Sequence, residues 1–189
     1  YGSGIHPKHS LIKYHDFFSN RIKDGSKVLD VGCGIGIVSL NVAKKLTKSS
    51  IIGVDINKQN IMIANELLNK SKLCNVHFIH GDINKQKDIK VDYVILSNIL
   101  EHIENRKKFL KKIQKITNSK IFLIRVPNFE RDWQIAMRKE LGIYYFSDVD
   151  HKIEHTVNQF KNDLEKAGFI IKEIITNWGE IWAKCEYGI

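Results

Sequence analysis

The sequence predicts an α/β fold of the doubly wound, Rossmann-like kind, with a seven-stranded sheet that is mostly parallel and contains one antiparallel strand. Short apolar segments alternate with amphipathic segments along most of the chain, which is typical of parallel strands joined by helical crossovers. A glycine-rich turn at residues 32–36 follows the first apolar segment. Only the turn Asn177-Trp178-Gly179 separates the last two apolar segments, so one of these strands runs antiparallel to its neighbour.

Each element has its own signal. Strands are predicted at short apolar runs, at 27–31, 50–54, 76–79, 91–96, 120–126, 169–175 and 180–186. Helices are predicted where apolar residues recur every three or four positions, at 10–23, 37–46, 57–69, 104–116 and 156–167. Asn57 and Thr156 are the predicted N-caps, and Gln159 completes a capping box with Thr156. Gly168 ends the last helix.

Composition limits the functional classes. The chain has 189 residues, 43% hydrophobic and 27% charged, which fits one globular domain with a real core. No apolar run reaches the roughly 20 residues that span a bilayer, and no signal-peptide pattern is present. Three scattered cysteines argue against a disulfide framework and predict a reducing, cytoplasmic location. The net charge of +9 fits anionic partners, or simply a lysine-rich composition, and the oligomeric state stays open.

The strongest functional signal is the segment 28–36. An apolar strand carrying Asp30 leads into a turn with Cys33 and three alternate glycines, Gly32, Gly34 and Gly36. Glycines at such a turn allow a tight bend and a close approach of the backbone to a ligand. The segment therefore predicts a nucleotide-type site at the carboxyl end of the first strand.

Two further acidic positions follow the next two strands. Asp55, followed by Ile56, ends the second strand, where a carboxylate reaches ribose hydroxyls in sheets of this type. Asp82 and Ile83 follow the third strand, and they can meet an exocyclic amine and the face of a purine. Together with the glycine turn, these residues predict a site for an adenosine-containing cofactor.

These motifs resemble those of the class I S-adenosylmethionine-dependent methyltransferases. The resemblance covers residues 27–168 and implies S-adenosylmethionine as cofactor. It implies that the loop 32–36 cradles the methionine part above Asp30, that Asp55 holds the ribose, and that Asp82 and Ile83 hold the adenine. The family fold has seven strands with the last one antiparallel.

Two other classes compete with this interpretation. A nicotinamide-dependent oxidoreductase has the fingerprint G-x-G-x-x-G, but Ile37 stands where its third glycine is expected. The element Gly81-Asp82 also favours the methyltransferase. A non-catalytic module that only binds the cofactor is the second alternative, and the adjacent pair Glu101 and His102 argues against it.

A second group of polar residues is typical of a metal site. Glu101 and His102 follow the fourth strand, and His151 and His155 come just before the last helix. Imidazole and carboxylate groups are suitable ligands for divalent first-row metals. The alternatives are ordinary surface histidines or contacts with an anionic substrate, because a Leu-Glu-His sequence after this strand also occurs in methyltransferases that need no metal.

The segments 101–102, 126–130 and 150–160 also resemble metal-dependent small-RNA 2′-O-methyltransferases and, in part, ubiquinone-type O-methyltransferases. The resemblance implies a divalent ion (Mn, Mg, Fe or Zn) held by Glu101, His102 and His151, and Glu101 and His102 are also expected to act in catalysis. Asn98 replaces a ligating glutamate of that family, and its carbonyl is expected to face the metal or the cofactor. His155 replaces a tryptophan and is the candidate catalytic base.

The expected reaction is O-methylation, because a hydroxyl needs a base or a metal to become nucleophilic. The expected acceptor is small and polar or anionic, for example a sugar, a nucleotide-linked molecule or a phosphate or phosphoramidate. Residues 127–155, called the lid below, are expected to cover it with aromatic and basic side chains: Trp133, Tyr144, Tyr145, Phe146, Arg125 (just before the lid), Arg131 and Arg138. RNA is the alternative acceptor, although the lysines of the helix at 104–116 are interpreted as a solvated face.

The domain organisation follows from these assignments. Residues 1–189 are expected to form one methyltransferase domain. Within it, 1–26 form an N-terminal helical cap, 27–126 the cofactor-binding core, 127–155 the lid, and 156–189 a C-terminal helix and strand pair. His6, His9 and His15 of the cap are expected to close the cofactor side.

Overall fold

The computed structural model describes residues 15–188. The first part of the leading helix predicted at 10–23 lies outside the described residues, as do His6 and His9 of the predicted cap. The described part contains only a short helix α1, Asp16–Ser19, whereas the prediction extended the helix to residue 23. The chain turns after Ser19 because Arg21 reaches back to the carbonyl of Phe17 and across to Glu173, while Ile22 is buried in the core.

The seven strands form one sheet in the order β3-β2-β1-β4-β5-β7-β6. Their bounds are β1 Lys27–Val31, β2 Ser50–Asp55, β3 Val76–His80, β4 Tyr93–Ser97, β5 Ile121–Pro127, β6 Phe169–Asn177 and β7 Glu180–Tyr187. Strands β1 to β5 pair in parallel, whereas β7 pairs antiparallel with both β5 and β6. The predicted fold, a mostly parallel seven-stranded sheet with one antiparallel strand, is confirmed.

Five more α-helices connect the strands. They are α2 Ile37–Lys45, α3 Lys58–Ser71, α4 Arg106–Thr117, α5 Trp133–Glu140 and α6 Val157–Lys166. Helix α4 begins two residues later than predicted, because the side chain of Asn105 caps it by accepting from the backbone N–H of Lys108. The capping box of Thr156 and Gln159 is present at the start of α6. Gly168 follows α6 with φ +94°, in the left-handed region that favours glycine at the end of a helix.

Two apolar layers cover the two faces of the sheet. Alternate residues along β1 point to opposite faces, so Val28 packs in one layer and Leu29 in the other. The first layer joins the sheet to α1 and α2 through Phe18, Val42 and Trp182. The second joins it to α4 and α6 and contains Phe109, Leu110, Phe160 and Leu164. A doubly wound sheet requires these two layers.

A tight hairpin places the antiparallel strand. Asn177 pairs with Glu180, and the two residues between them, Trp178 and Gly179, have φ angles of +51° and +77°. Two left-handed residues in a two-residue loop turn the chain directly back on itself. Strand β7 therefore inserts between β5 and β6, one position inside the edge of the sheet.

The lid lies beyond the end of β5. It contains a 3₁₀ turn at Phe129–Arg131, the helix α5, and a segment without regular structure that leads to α6. Several of its large apolar side chains are exposed: Trp133, Met137, Leu141, Ile143, Tyr144 and Val149. Within residues 15–188, no helix combines the length and the apolar character that crossing a bilayer demands.

The strand order places the candidate site. Strands β1 and β4 are neighbours at the point where the strand order reverses, so the connections that leave them diverge to opposite faces of the sheet. Ligands bind in the crevice outside the carboxyl ends of the strands at such a switch point. The glycine turn after β1 and the segment of Glu101 after β4 both begin at this edge.

Candidate active site

The glycine turn joins β1 to α2 in a conformation that needs glycine. Gly34 has φ +53°, and no atom lies within 4 Å of the place that a Cβ would take, so its backbone is open to a ligand. Gly36 has φ +81°, and a Cβ there would lie 2.5 Å from the ring of Phe78. Gly34 therefore faces the crevice, while Gly36 allows α2 to pack closely on the sheet.

Two cavities flank this turn, one on each side of Gly32. The first is lined by residues at the ends of β2 and β3 and by residues after β4, including Asp55, Ile56, Asp82, Ile83, Ile99 and Phe109. The second is lined by residues of the glycine turn and by side chains around it, including His15, Asp30, Cys33, Gly34, Ser97 and Arg125. Of the predicted cofactor-binding positions, Gly36 and Asn98 are in neither lining among the described residues.

Asp55 links the end of β2 to the glycine turn. One carboxylate oxygen accepts a hydrogen bond from the backbone N–H of Gly34 at 2.8 Å, and the other accepts from the backbone N–H of Asn57 at 2.8 Å. Asp82 is held in the same way, since its side chain accepts from the backbone N–H of Asn84 at 2.8 Å. Both carboxylates are therefore fixed in orientation at the rim of the first cavity.

Asp30 lies beneath the second cavity and is almost fully buried. One of its oxygens accepts a hydrogen bond from the hydroxyl of Ser39 at 2.6 Å, and the other has no hydrogen-bond partner among the described residues. Burial raises the pKa of this carboxyl to about 7, although the hydrogen bond from Ser39 opposes the shift. Sequence reasoning missed Ser39, which lies nine positions beyond Asp30 on α2.

Glu101, His102 and His151 come together in space, as predicted. One possible ligand atom from each residue lies within 4.8 Å of those of the other two. A 3₁₀ turn at Leu100–His102 lets adjacent residues contribute to one group, which the interior of an α-helix does not allow. The backbone N–H of Lys152 donates to the carbonyl of Glu101 at 2.7 Å and ties the lid to this turn.

The electrostatics of this group are unusual. Glu101 is 1% exposed, and neither of its carboxylate oxygens accepts a hydrogen bond from another described residue. Burial raises the pKa of its carboxyl to about 8, against a smaller opposing effect of Arg125. Burial and the neighbouring His151 lower the pKa of His102, so that imidazole is neutral at pH 7. A buried carboxyl group that takes no hydrogen bond from another described residue, beside a neutral imidazole, is suited to binding a cation in exchange for its proton.

His151 is held by the carboxylate of Glu154. Its Nδ1 lies 2.8 Å from Oε1 of Glu154, and its ring meets the ring of His102 edge-on, with centroids 4.8 Å apart. Burial acts to raise the pKa of Glu154, but hydrogen bonds from Ser147 and His151 outweigh it and the pKa is lowered. Sequence reasoning missed Glu154, although it lies three positions beyond His151.

His155 is not brought to this group, contrary to the expectation that it faces the acceptor. Its side chain is completely buried against the ring of Phe160, and its Nε2 lies 3.6 Å from the carboxylate of Asp163. Burial lowers the pKa of its imidazole. The backbone bridge between Asn128 and His155 explains this placement, because it anchors the end of the lid to the sheet and turns the side chain into the core.

Asn98 and Arg125 also differ from their expected roles. The side-chain carbonyl of Asn98 accepts from Nε of Arg125 at 3.2 Å, so it is directed to that guanidinium and not to the group of Glu101. Arg125 is buried, lies 3.1 Å from Glu180, and stands over the ring of Trp182 at 5.0 Å. The arginine is therefore held inside the molecule beside the second cavity, whereas the sequence suggested that it reaches into the lid.

The glycine turn, the two fixed carboxylates and the sheet with its antiparallel β7 define the class of the S-adenosylmethionine-dependent methyltransferases. The chain belongs to the methyltransferase domain family, whose model matches residues 22–181.

Two curated relatives and one solved structure illustrate the similarity. The ribosomal protein L11 methyltransferase of Thermotoga neapolitana is 35% identical over 124 residues, which are 66% of this chain and 44% of the relative. The (S)-tetrahydroprotoberberine N-methyltransferase of Eschscholzia californica is 32% identical over 167 residues, covering 76% of this chain and 48% of the relative. The chain thus spans less than half the length of both curated relatives.

The solved structure is that of a SAM dependent methyltransferase from Aquifex aeolicus. It superimposes with a TM-score of 0.70 at 17% identity and covers 96% of this chain and 90% of that chain. At this identity the likeness is one of fold. The nicotinamide-dependent interpretation is therefore set aside, since the matching family is that of the methyltransferase domain.

Proposed function

We propose that this chain transfers the methyl group of S-adenosylmethionine to an oxygen atom of a small polar or anionic acceptor, with a divalent cation held by Glu101, His102 and His151. The observation that carries the proposal is the carboxylate of Glu101, which is buried and has no hydrogen-bond donor from another described residue. Burying such a group is costly unless a positive charge compensates it. Two imidazoles within 4.8 Å complete a set of ligands suited to Mn, Fe, Zn or Mg.

The two cavities support a placement for the cofactor. In this proposal the adenine lies in the first cavity between Ile83 and Phe109, with Asp82 at its edge. Asp55 holds the ribose hydroxyls, and its orientation is already fixed by the N–H groups of Gly34 and Asn57. The methionine part extends past Gly32 into the second cavity, above Asp30.

The reaction is an in-line displacement. A bond forms between the acceptor oxygen and the methyl carbon, and the bond between that carbon and sulfur breaks with its electron pair staying on sulfur, which leaves S-adenosylhomocysteine. The acceptor hydroxyl gives its proton to solvent water. The two cavities and the group of Glu101 flank the same edge of the sheet, which aligns the reactants. The cation supplies Lewis acidity that lowers the pKa of a hydroxyl beside it. Burial, above all, lowers the pKa of His102 and so favours its neutral imidazole, as a metal ligand requires.

The lid supports an acceptor of modest size. Trp133 is 69% exposed, and Tyr144 is exposed as well, so these rings are available to an acceptor. Arg138 is a basic group of the same segment that suits a phosphate or carboxylate, whereas Arg131 already lies 3.7 Å from the carboxylate of Glu154. Arg125 has no such role in the proposal, because Asn98 and Glu180 already engage it.

An amine acceptor is the second candidate, and the name of the relative from Eschscholzia californica favours it. A neutral amine is a nucleophile without metal assistance, so this function leaves the group of Glu101 unexplained. RNA is a further candidate, because helix α4 carries six basic side chains and no acidic one. Its lysines are exposed while Leu110 and Ile113 are buried, which is also the pattern of an ordinary solvated helix face.

The proposal is tested by separating cofactor binding from metal binding. We expect the wild-type chain to take up one equivalent of Mn²⁺ and to bind S-adenosylhomocysteine. Glu101→Ala is expected to lose the metal and keep the cofactor, whereas Asp55→Ala is expected to weaken the cofactor by about tenfold or more and keep the metal. Metal binding is measured as the metal content after Mn²⁺ loading. Cofactor binding is measured by calorimetric titration with S-adenosylhomocysteine.

The outcomes discriminate between the candidate functions. Equal metal content in the wild type and in Glu101→Ala contradicts the metal-assisted mechanism and directs the search to amines. A panel of hydroxyl, amine and RNA acceptors, assayed with the metal-loaded wild type, then identifies the acceptor class.

A further inference from the structure

A buried carboxylate in the lid lies beside the group of Glu101 but is not part of it. The side chain of Glu154 has no exposed surface. Its Oε1 accepts hydrogen bonds from the backbone N–H of Ser147 at 2.7 Å and from the hydroxyl of Ser147 at 2.6 Å. The Nδ1 of His151 lies 2.8 Å from the same oxygen, and Arg131 lies 3.7 Å from Oε2. Groups from three parts of the lid therefore converge on one carboxylate.

The contact with His151 has a chemical consequence. A neutral imidazole carries its proton on one ring nitrogen and offers a lone pair on the other. A carboxylate only accepts hydrogen bonds, so the nitrogen 2.8 Å from Glu154 is the one that carries the proton. In the neutral form of His151 the lone pair is then on Nε2.

We propose that Glu154 is a positioning residue that fixes His151 as the Nδ1–H tautomer and leaves Nε2 as the nitrogen that binds the cation beside Glu101 and His102. The part of this inference that concerns the cation rests on the proposed function, whereas the tautomer does not. Carboxylates that hold metal-binding histidines in this way raise the basicity of the ligand and fix the orientation of its ring.

The surrounding contacts agree with this role. Burial lowers the pKa of His102 and the backbone of Asp150 opposes that shift, so both imidazoles of the group interact with the same short segment of the lid. The backbone N–H of Lys152 donates to the carbonyl of Glu101 at 2.7 Å and sets the position of that segment relative to the turn after β4. The segment between these residues is therefore held at two points: Glu154 holds His151, and Lys152 holds the turn of Glu101.

The first experiment determines the tautomer of His151 by long-range ¹H–¹⁵N correlation in the cation-free protein. We expect the Nδ1–H tautomer in the wild type, its loss or mixing with the Nε2–H tautomer in Glu154→Ala, and an intermediate result in Glu154→Gln, whose side chain keeps an acceptor but lacks the charge. Glu173→Gln is the control, because it neutralises a carboxylate that binds Arg21 far along the sheet. An Nε2–H tautomer in the wild type, or an unchanged spectrum in Glu154→Ala, overturns the inference.

The second experiment titrates Mn²⁺ into the same proteins. We expect Glu154→Ala to weaken Mn²⁺ binding by about 10–100-fold and Glu154→Gln to weaken it less, with the control unchanged. Wild-type affinity in Glu154→Ala overturns the role of Glu154 toward the cation and leaves the proposed function standing. A wild type that binds no divalent metal overturns the proposed function, and the tautomer still decides whether Glu154 orients His151. If Glu154→Ala does not fold, Glu154→Gln and the milder Ser147→Ala carry the test.

Discussion

The cofactor side of this molecule, which comprises the glycine turn with Asp55 and Asp82, and the lid are built differently, although they meet at one edge of the sheet. On the cofactor side, Asp55 and Asp82 each accept a hydrogen bond from a backbone N–H two residues further along the chain. Asp55 also accepts one from Gly34 in the glycine turn after β1. In the lid, His151 is fixed by Glu154, and the whole segment contacts a turn about 50 residues earlier in the chain. Paired strands of the sheet position the first region, whereas the second depends on contacts between a lid segment without regular structure and a turn far earlier in the chain.

The difference shows in burial as well. The residues around the glycine turn pack against both layers of the core, whereas the lid exposes Trp133 and Val149 to 69% and 81%. Local stability follows buried apolar contacts, so the lid is expected to open at a lower free energy than the cofactor side. A segment that must admit an acceptor is suited to that arrangement.

The largest expected effect is the loss of stability when a left-handed glycine is replaced by alanine, compared between the cofactor side and the lid. A Cβ at Gly36 would lie 2.5 Å from the ring of Phe78 in a left-handed backbone, so Gly36→Ala is expected to cost about 2–4 kcal/mol of stability. Gly142 in the lid is also left-handed, at φ +69°, but has open space around it. Gly142→Ala is expected to cost about 1 kcal/mol.

Chemical denaturation and titration with S-adenosylhomocysteine measure this pair. We expect Gly36→Ala to weaken the cofactor by about tenfold or more and Gly142→Ala to leave its affinity unchanged. Equal losses of cofactor affinity in the two variants would show that the lid and the glycine turn are one coupled unit, against the contrast drawn above.

How far the sequence predicts each region follows the same division. The sheet, the glycine turn and the positions of Asp55 and Asp82 were predictable, because each depends on a few consecutive residues with a defined backbone conformation. The group of Glu101, His102 and His151 was predicted from residue types that also included His155, and a resemblance to a family assigned the three ligands. Spacing along the chain does not show that residues about 50 positions apart meet.

The remaining errors share one cause. The sequence does not show the direction in which a side chain points once the chain leaves a regular element. Asn98 has φ +57° and turns to Arg125, and His155 turns into the core beside Phe160. Both placements depend on tertiary contacts, and the same is true of the hydrogen bond that makes Glu154 a partner of His151.

The next expected effect concerns Asp30 and the pH dependence of stability. Burial raises the pKa of its carboxyl from 3.8 in the unfolded chain to about 7 in the folded protein, so the folded state keeps a proton that the unfolded state releases. The stabilising contribution of the protonated form is complete below pH 3.8 and is lost as the pH rises through about 7. Asp30→Asn removes this dependence while its side-chain carbonyl can still accept from Ser39.

Relative to wild type, Asp30→Asn is therefore expected to gain stability between pH 5 and pH 8, by on the order of 3 kcal/mol. Denaturant unfolding at the two pH values measures it. If the free energy of unfolding changes equally with pH in the two proteins, Asp30 keeps an ordinary pKa and the prediction is wrong. Because Asp30 lies on the cofactor side, the lid should show the same rate of proteolysis in both proteins.

The smallest expected effect compares two helix caps, one on each side of the molecule. The side chain of Asn57 caps α3 beside Asp55, and the side chain of Thr156 caps α6 where the lid ends. Removing either cap by alanine substitution costs about 1 kcal/mol, which lowers the Tm of a domain of this size by about 2–4 °C. Thr156→Ala is also expected to leave S-adenosylhomocysteine affinity unchanged, because α6 lines neither cavity among the described residues.

The measurement for Thr156→Ala is thermal unfolding combined with limited proteolysis. A lower Tm for the whole transition means that α6 unfolds together with the cofactor side and that the lid alone is the weaker unit. An unchanged Tm with faster proteolysis between residues 141 and 156 would place α6 with the lid and move the boundary between the two regions into the second apolar layer, where Phe160 and Leu164 pack.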